Sequence, residues 1–282
     1  MVDTSRLALG TVQFGLEYGI NNFEGKPNQV EIGNILNLAY KNNINVLDTA
    51  NIYGTAEEVL GFYDISSFEI ITKFLPESQN GLFEKQFEDS LKKLKVKAVY
   101  GLLAHRPMDV VENPEIWHKM NVQKSNFKVK KIGFSFDTLD QYFAVFKKSF
   151  IPDIVQVPFN YFDDRFINII EELKGNGCEI HVRSAFLQGL FFTKMNKLSS
   201  FFDEVKELIG NLQEEYDNLL AAGLLRFVLG NLSVDKVVFG VQKEIELKNI
   251  LEMLDIAPAL PRFEKKINQS ILMPSNWPVN DR

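Results

Sequence analysis

The chain has 282 residues, 45% of them hydrophobic, with a formal charge of -6; it can bury one large core, and barrels of about 250 residues routinely form one domain. Asp and Glu outnumber Lys and Arg by 37 to 31, so no broad positive field draws in a phosphate backbone, which excludes nucleic-acid partners. No apolar run approaches the ~18 residues of a membrane helix, the start MVDTSRLALG has no export-signal pattern, and the lone Cys178 has no disulfide or metal-thiolate partner, so a soluble, cytoplasmic protein is expected.

Along the chain, short runs rich in Val, Ile, Leu and Phe alternate with longer stretches of helical spacing. The strand candidates are RLALGTV from Arg6, INVLDTA from Ile44, FEIITKF from Phe68, AVYGLLAH from Ala98, VKKIGFSF from Val129, DIVQVPFN from Asp153, EIHVRSAF from Glu179 and KVVFGV from Lys236. Nearly continuous apolar runs suit strands covered on both faces. Between them, Val30 to Lys41 places Ile32, Ile35, Leu36 and Ala39 on one stripe, and Leu82 to Leu94 does the same with Phe83, Phe87, Leu91 and Leu94. The lysines at 92, 93, 95 and 97 fall where that second helix ends, a position that favours cations. Gly175-Asn176-Gly177 reads as a helix stop before the seventh strand. Eight strand-helix repeats predict a single-domain (β/α)8 TIM barrel over residues 1–257, although a doubly wound open sheet also satisfies the alternation. From Pro258 to residue 282, Pro261, Pro274 and Pro278 predict an irregular tail. Trp277 and this tail either cover the pocket or hang loose.

In a parallel barrel, catalytic groups gather at the C-terminal strand ends. Asp48 ends the second strand candidate, Tyr53 follows in the next loop, Lys73 ends the third and His105 the fourth. Delivering hydride to a carbonyl builds negative charge on oxygen, so a site must polarise that oxygen and supply a proton. A tyrosine hydroxyl does both if a neighbouring ammonium eases its ionisation. Lys73 is that cation, Asp48 the carboxylate that keeps the lysine charged, and His105 the group that holds the substrate oxygen. Each has an ordinary alternative: a helix cap for Asp48, aromatic packing for Tyr53, a solvated strand end for Lys73 and a backbone hydrogen bond for His105.

At these residues the sequence resembles the aldo-keto reductase superfamily, from about Leu7 to about Leu254. The resemblance rests on LALGTVQFG, which carries Gly10 and Thr11, on NINVLDTANIYGTAEEVLG, with Gly54, Glu57 and Gly61 after Tyr53, and on Lys73 in ITKF and His105 in LLAHRP. It implies Tyr53 as acid, Lys73 and Asp48 as its tuning partners and His105 as substrate orienter. It further implies a dinucleotide site. IGFSF places Ser135 in register for the nicotinamide carboxamide but Phe136 where an asparagine is usual, and Gln156 occupies the family's glutamine. RSAFLQGLF aligns Ser184, Phe186, Gln188 and Gly189 with the loop that wraps the pyrophosphate, while Arg183 replaces an aromatic that stacks on the nicotinamide. A guanidinium plane also stacks, and a buried salt bridge is its alternative. GVQKEIEL, with Gly240, Gln242 and Lys243, is similar to the adenosine-binding turn, and Lys243 is the candidate for a 2′-phosphate contact that favours NADP(H) over NAD(H).

The wording of LGTVQFGLEYGI and RSAFLQGLF resembles a bacterial branch associated with sugar and surface-polysaccharide genes, implying a sugar-derived aldehyde or ketone as the small-molecule substrate. The competing reading is a nicotinamide-binding regulatory or scaffold protein without turnover, to which Phe136 and Arg183 point. A metal-dependent hydrolase is disfavoured because only three histidines exist, with His118 in a surface helix and His181 inside a strand.

Overall fold

The computed structural model describes residues 2–258 and 260–278; positions 259 and 279–282 of the expected tail lie outside the described residues. All eight strands form where the apolar runs lie: β1 (Leu7–Gly10), β2 (Val46–Asp48), β3 (Glu69–Phe74), β4 (Val99–Ala104), β5 (Val129–Ser135), β6 (Ile154–Pro158), β7 (Glu179–Arg183) and β8 (Lys236–Phe239). Neighbours in sequence pair in parallel, and β1 closes the ring on β8 with Leu7 opposite Val237 and Leu9 opposite Phe239. The sheet is a closed barrel, which removes the open-sheet alternative.

The helices that link the strands follow their sequence signals. Gln29–Lys41 starts at Asn28, whose side chain accepts from the Glu31 amide, and buries Ile32, Ile35, Leu36 and Ala39 against the sheet. Phe83–Leu94 buries Phe83, Phe87, Leu91 and Leu94 and stops at left-handed Lys95, with Lys92 and Lys93 in its last turn. A reciprocal cap between Thr138 and Gln141 opens Leu139–Lys147. Ile167–Gly175 ends at Asn176 and Gly177, the latter at φ 83°.

Strand side chains alternate between faces, so residues two apart share one. Ala8, Val46, Ile71, Leu103, Ile154 and Val238 form one buried cluster from six strands, separate from the larger core between sheet and helices. Two residues further along the same faces come Asp48, Lys73, His105 and Gln156. The apolar layer therefore plugs the barrel directly beneath the polar groups at its C-terminal mouth.

A third apolar cluster lies outside the barrel, built from Phe162, Phe191, Phe202, Ile209, Leu224 and Trp277 among others. It joins the loop after β7, the helices Asp203–Tyr216 and Leu220–Leu229, and the tail. The tail has a one-turn helix, Gln269–Leu272, and a 3-10 turn, Pro274–Asn276. It does not hang loose: Trp277 is fully buried, packs edge-on against Phe202, and donates its indole N–H to the Ile271 carbonyl at 2.8 Å. Truncating a buried Trp to Ala costs about 3–5 kcal/mol. Trp277→Ala is expected to lower urea-unfolding stability by that order, and a change under about 0.5 kcal/mol, the size usual for surface positions, would show the tail to be dispensable.

Candidate active site

Asp48, Tyr53, Lys73 and His105 meet at the C-terminal mouth. Lys73 is almost fully buried, and its ammonium donates to Asp48 Oδ1 at 2.6 Å, to the Thr49 carbonyl at 2.9 Å and to the Tyr53 hydroxyl at 3.5 Å. These three acceptors match the three N–H bonds of an ammonium. The Tyr53 ring lies 6.0 Å from the His105 ring, edge to face. Asp48, Tyr53 and His105 line a cavity of about 840 Å3, while Lys73 lies behind its wall.

The loop carrying Tyr53 is held by backbone constraints. Gly54 sits at φ 57°, and a Cβ there would meet the Gly15 carbonyl oxygen at 2.5 Å. At Gly61 an added Cβ would lie 2.0 Å from the Lys93 carbonyl oxygen. The two glycines of the tyrosine motif thus permit close backbone approach. Glu57 is buried and accepts from the Thr72 hydroxyl at 2.6 Å. The Asn51 side chain donates to Gln86, and its amide donates to the Lys73 carbonyl.

Burial dominates the acid–base behaviour of the mouth. It pushes the Tyr53 phenol well above its ordinary range, with the Asp48 charge adding to the rise and Arg183 leading the opposing charges. The phenol therefore stays protonated at neutral pH, rather than being brought down as its neighbouring ammonium suggests from sequence. Burial lowers the Lys73 pKa, against the Asp48 carboxylate, which favours the charged amine. His105 is held well below its ordinary value of 6.5 by burial and then by Lys73. It is neutral at pH 7, and its Nδ1 is buried without a partner.

The dinucleotide candidates divide into two groups. Gly10, Thr11, Arg183, Ser184, Phe186 and Gln188 lie on the cavity wall, as do Gly189, Gly240 and Gln242. The Thr11 hydroxyl is engaged with the Asp48 carbonyl at 3.0 Å. In the loop after β7, Ser184, Leu187, Gln188 and Gly189 all adopt positive φ, a strained curl of the kind that concentrates at ligand sites. Ser135, Gln156 and Lys243, by contrast, are not on the wall. Ser135 is buried, and Gln156 donates to Asp48 Oδ2 at 2.7 Å, leaving its own Oε1 buried without a partner. Lys243 is exposed and paired with Glu24 at 2.7 Å. Phe136 is fully buried in an aromatic stack with Phe134.

Arg183 is ion-paired. It donates to Asp137 Oδ1, to the Phe136 carbonyl at 3.1 Å and to Ser184 Oγ at 3.2 Å. Asp137 also accepts from Arg106 at 3.1 Å. Sequence reasoning missed Arg106, Asp137, Arg165 and Tyr18, all on the cavity wall. The available signal was charge in loops that follow strands, in Arg106 next to His105 and in the Asp-Asp-Arg run after β6. Among the described residues, no three His, Cys, Asp or Glu side chains cluster as a metal site, and no helix is long and apolar enough to cross a membrane.

The profile of the Aldo/keto reductase family matches residues 6–268. The chain belongs to this family. It is accordingly a nicotinamide-dependent oxidoreductase whose membership carries carbonyl reduction. Solved structures share the fold. One from Pseudomonas aeruginosa, assigned to the aldo-keto reductases, has a TM-score of 0.65 at 22% identity, covering 91% of this chain and 93% of its own. A glycerol dehydrogenase from Gluconobacter oxydans has a TM-score of 0.65 at 18% identity, covering 95% of this chain and 89% of its own. No curated protein matches significantly in sequence.

The neutral His105 of this reductase has a consequence for stability. Its folded pKa lies below its unfolded value, so below pH 6.5 the unfolded chain binds more protons and stability falls with acidity, while above 6.5 the effect vanishes. Thermal melts between pH 7 and about pH 5.5 are expected to show a smaller acid-induced loss in His105→Gln than in the wild type. Parallel losses would contradict a neutral buried imidazole.

Proposed function

We propose that this aldo/keto reductase reduces an aldehyde or ketone, of a sugar-derived kind, to the alcohol with NADPH, and that Tyr53 delivers the proton to the carbonyl oxygen. The observation that carries the reading is the chain Asp48, Lys73, Tyr53 at 2.6 and 3.5 Å, ending in a phenol on the wall of a cavity that continues to the Gly240 turn.

The residues fit a dinucleotide. The cavity volume of about 840 Å3 is in the range of cofactor sites, and the curled loop after β7 presents its backbone along it. At the adenosine end, Gly240 leaves space next to Gln13; a Cβ there would meet the Gln13 side-chain oxygen at 2.4 Å. At the nicotinamide end, Arg183 and Ser184 line the wall and are the candidates for polar contacts to a carboxamide. They take the place expected for Ser135 and Gln156, whose buried Oε1 remains an acceptor without a donor. A bound nicotinamide supplies the hydride.

The protein's own residues do the rest. Tyr53, protonated at neutral pH, donates a hydrogen bond to the substrate oxygen and gives up its proton as charge accumulates there. The Lys73 ammonium, 3.5 Å away, stabilises the phenolate that remains. Asp48 holds that ammonium, and Gln156 holds Asp48 through its second oxygen. Neutral His105 orients the carbonyl without adding a charge. We take Lys243 as the cation that would receive a 2′-phosphate: it lies off the wall but next to Gln242, which lines it, and its partner Glu24 forms an exposed pair that solvent screens and a phosphate can displace.

Tyr53→Phe is expected to lower kcat/KM for an aldehyde by at least about a hundredfold, with NADPH binding, followed by fluorescence titration, within about threefold of wild type, a shift of under 1 kcal/mol. Undiminished turnover in that variant would reject Tyr53 as the acid. Lys243→Met is expected to raise KM for NADPH and leave KM for NADH in place; equal effects on both would remove Lys243 from cofactor choice.

A further inference from the structure

We propose that the reducible carbonyl compound carries a carboxylate, and that the arginine group of Arg106, Arg165 and Arg183 at the cavity wall receives it. The inference rests on the carbonyl reduction argued above and names the class of its substrate. All three arginines line the same cavity as Tyr53 and His105. They arrive from different strand ends, after β4, after β6 and at the end of β7. Arg183 and Arg106 lie close enough for their charges to act on both Tyr53 and His105, and Arg183 acts on Arg165.

The charges at this wall do not cancel. Asp137 accepts from Arg106 and from Arg183, and Asp163 pairs with Arg165 Nη2 at 3.0 Å, so two carboxylates face three cations. Burial pushes the Asp163 carboxyl up to about 6, weakening its share of the neutralisation toward acid pH. Three further carboxylates line the cavity. Asp48 holds Lys73, Glu246 accepts from the Gln242 amide at the start of the Glu244–Met253 helix, and Glu17 lies beside Gly25 in the loop after β1.

Arg165 also has donors to spare. Its Nε and Nη1 are buried and make no hydrogen bond. Unmade bonds on a largely buried guanidinium are costly, and a carboxylate that Arg165 turned to meet would supply charge-assisted bonds in their place. An uncharged sugar hydroxyl offers no such compensation for the surplus charge.

The test uses the whole protein with its nicotinamide cofactor and two probes, 4-carboxybenzaldehyde and its methyl ester. They share the reacting carbonyl and differ in charge. The ester is the more electron-poor aldehyde, so intrinsic reactivity works against the expected result. kcat/KM for the acid is expected to exceed that for the ester roughly tenfold or more, through KM, as charge-assisted bonds imply. The ratio is expected to fall toward one in Arg165→Met and in Arg106→Met, and to be partly kept in Arg165→Lys. If Arg165→Met does not fold, the wild-type ratio and Arg106→Met decide. Reduction of both probes with no preference for the acid overturns the inference while carbonyl reduction stands. If neither aldehyde is turned over, the reductase assignment of the tetrad fails separately, and titration of 4-(hydroxymethyl)benzoate against its methyl ester still decides. Tighter binding of the acid that is lost in Arg165→Met supports the arginine site, and equal binding of the two overturns it.

Discussion

The site depends on keeping an ammonium charged where water is nearly absent. Lys73 is almost fully buried, and burial alone drives a lysine toward its neutral form. Asp48 at 2.6 Å opposes that, with the Thr49 carbonyl and the Tyr53 hydroxyl completing the ammonium's bonds. Removing one member of such a buried pair leaves an uncompensated charge, typically costing about 3–5 kcal/mol. The pair is therefore a structural commitment as well as a chemical one. Gln156 extends it, because its donation to Asp48 Oδ2 leaves neither carboxylate oxygen free to turn away.

The closed barrel makes that commitment possible. The two-residue period of the strands sets the apolar layer of Val46, Ile71, Leu103 and Ile154 directly beneath Asp48, Lys73, His105 and Gln156. The layer excludes water from below, and the polar groups above it gain electrostatic strength from the low dielectric. At the opposite, N-terminal side, a separate network joins Glu179 to His181, Tyr100 and Lys131. That network ties strands β4, β5 and β7 together far from the C-terminal mouth.

The cavity wall around Arg183 departs in a coherent way from the composition that the family resemblance implied. Phe136 joins the Phe134 stack instead of facing the cavity, and its carbonyl accepts from Arg183. Arg183 in turn is held by Asp137, which also holds Arg106. Phe136, just past β5, and Arg183, at the end of β7, thus belong to a single arrangement that carries positive charge to the cavity wall. The tail contributes at the rim, where Leu272 to Ser275 reach the same cavity, anchored by Trp277 in the outer apolar cluster.

Strand and helix positions were legible in the sequence because hydrophobic period and capping residues act over a few neighbours. The eight apolar runs became β1 to β8, and the stripe of Ile32, Ile35, Leu36 and Ala39 is the buried face of its helix. The tetrad was legible too, since Asp48, Lys73 and His105 each sit at or just past a strand end, where a barrel must expose them. Pairings between distant segments were not. Arg106 meets Asp137 across 31 positions, Arg183 meets Asp137 across 46, Gln156 meets Asp48 across 108 and Lys243 meets Glu24 across 219. By itself the sequence determined the alternation of elements and the chemistry available at the mouth. Which side chain neutralises which, and whether Gln156 or Arg183 faces the cavity, was decided only when barrel closure set the separations on which charge and hydrogen bonding depend.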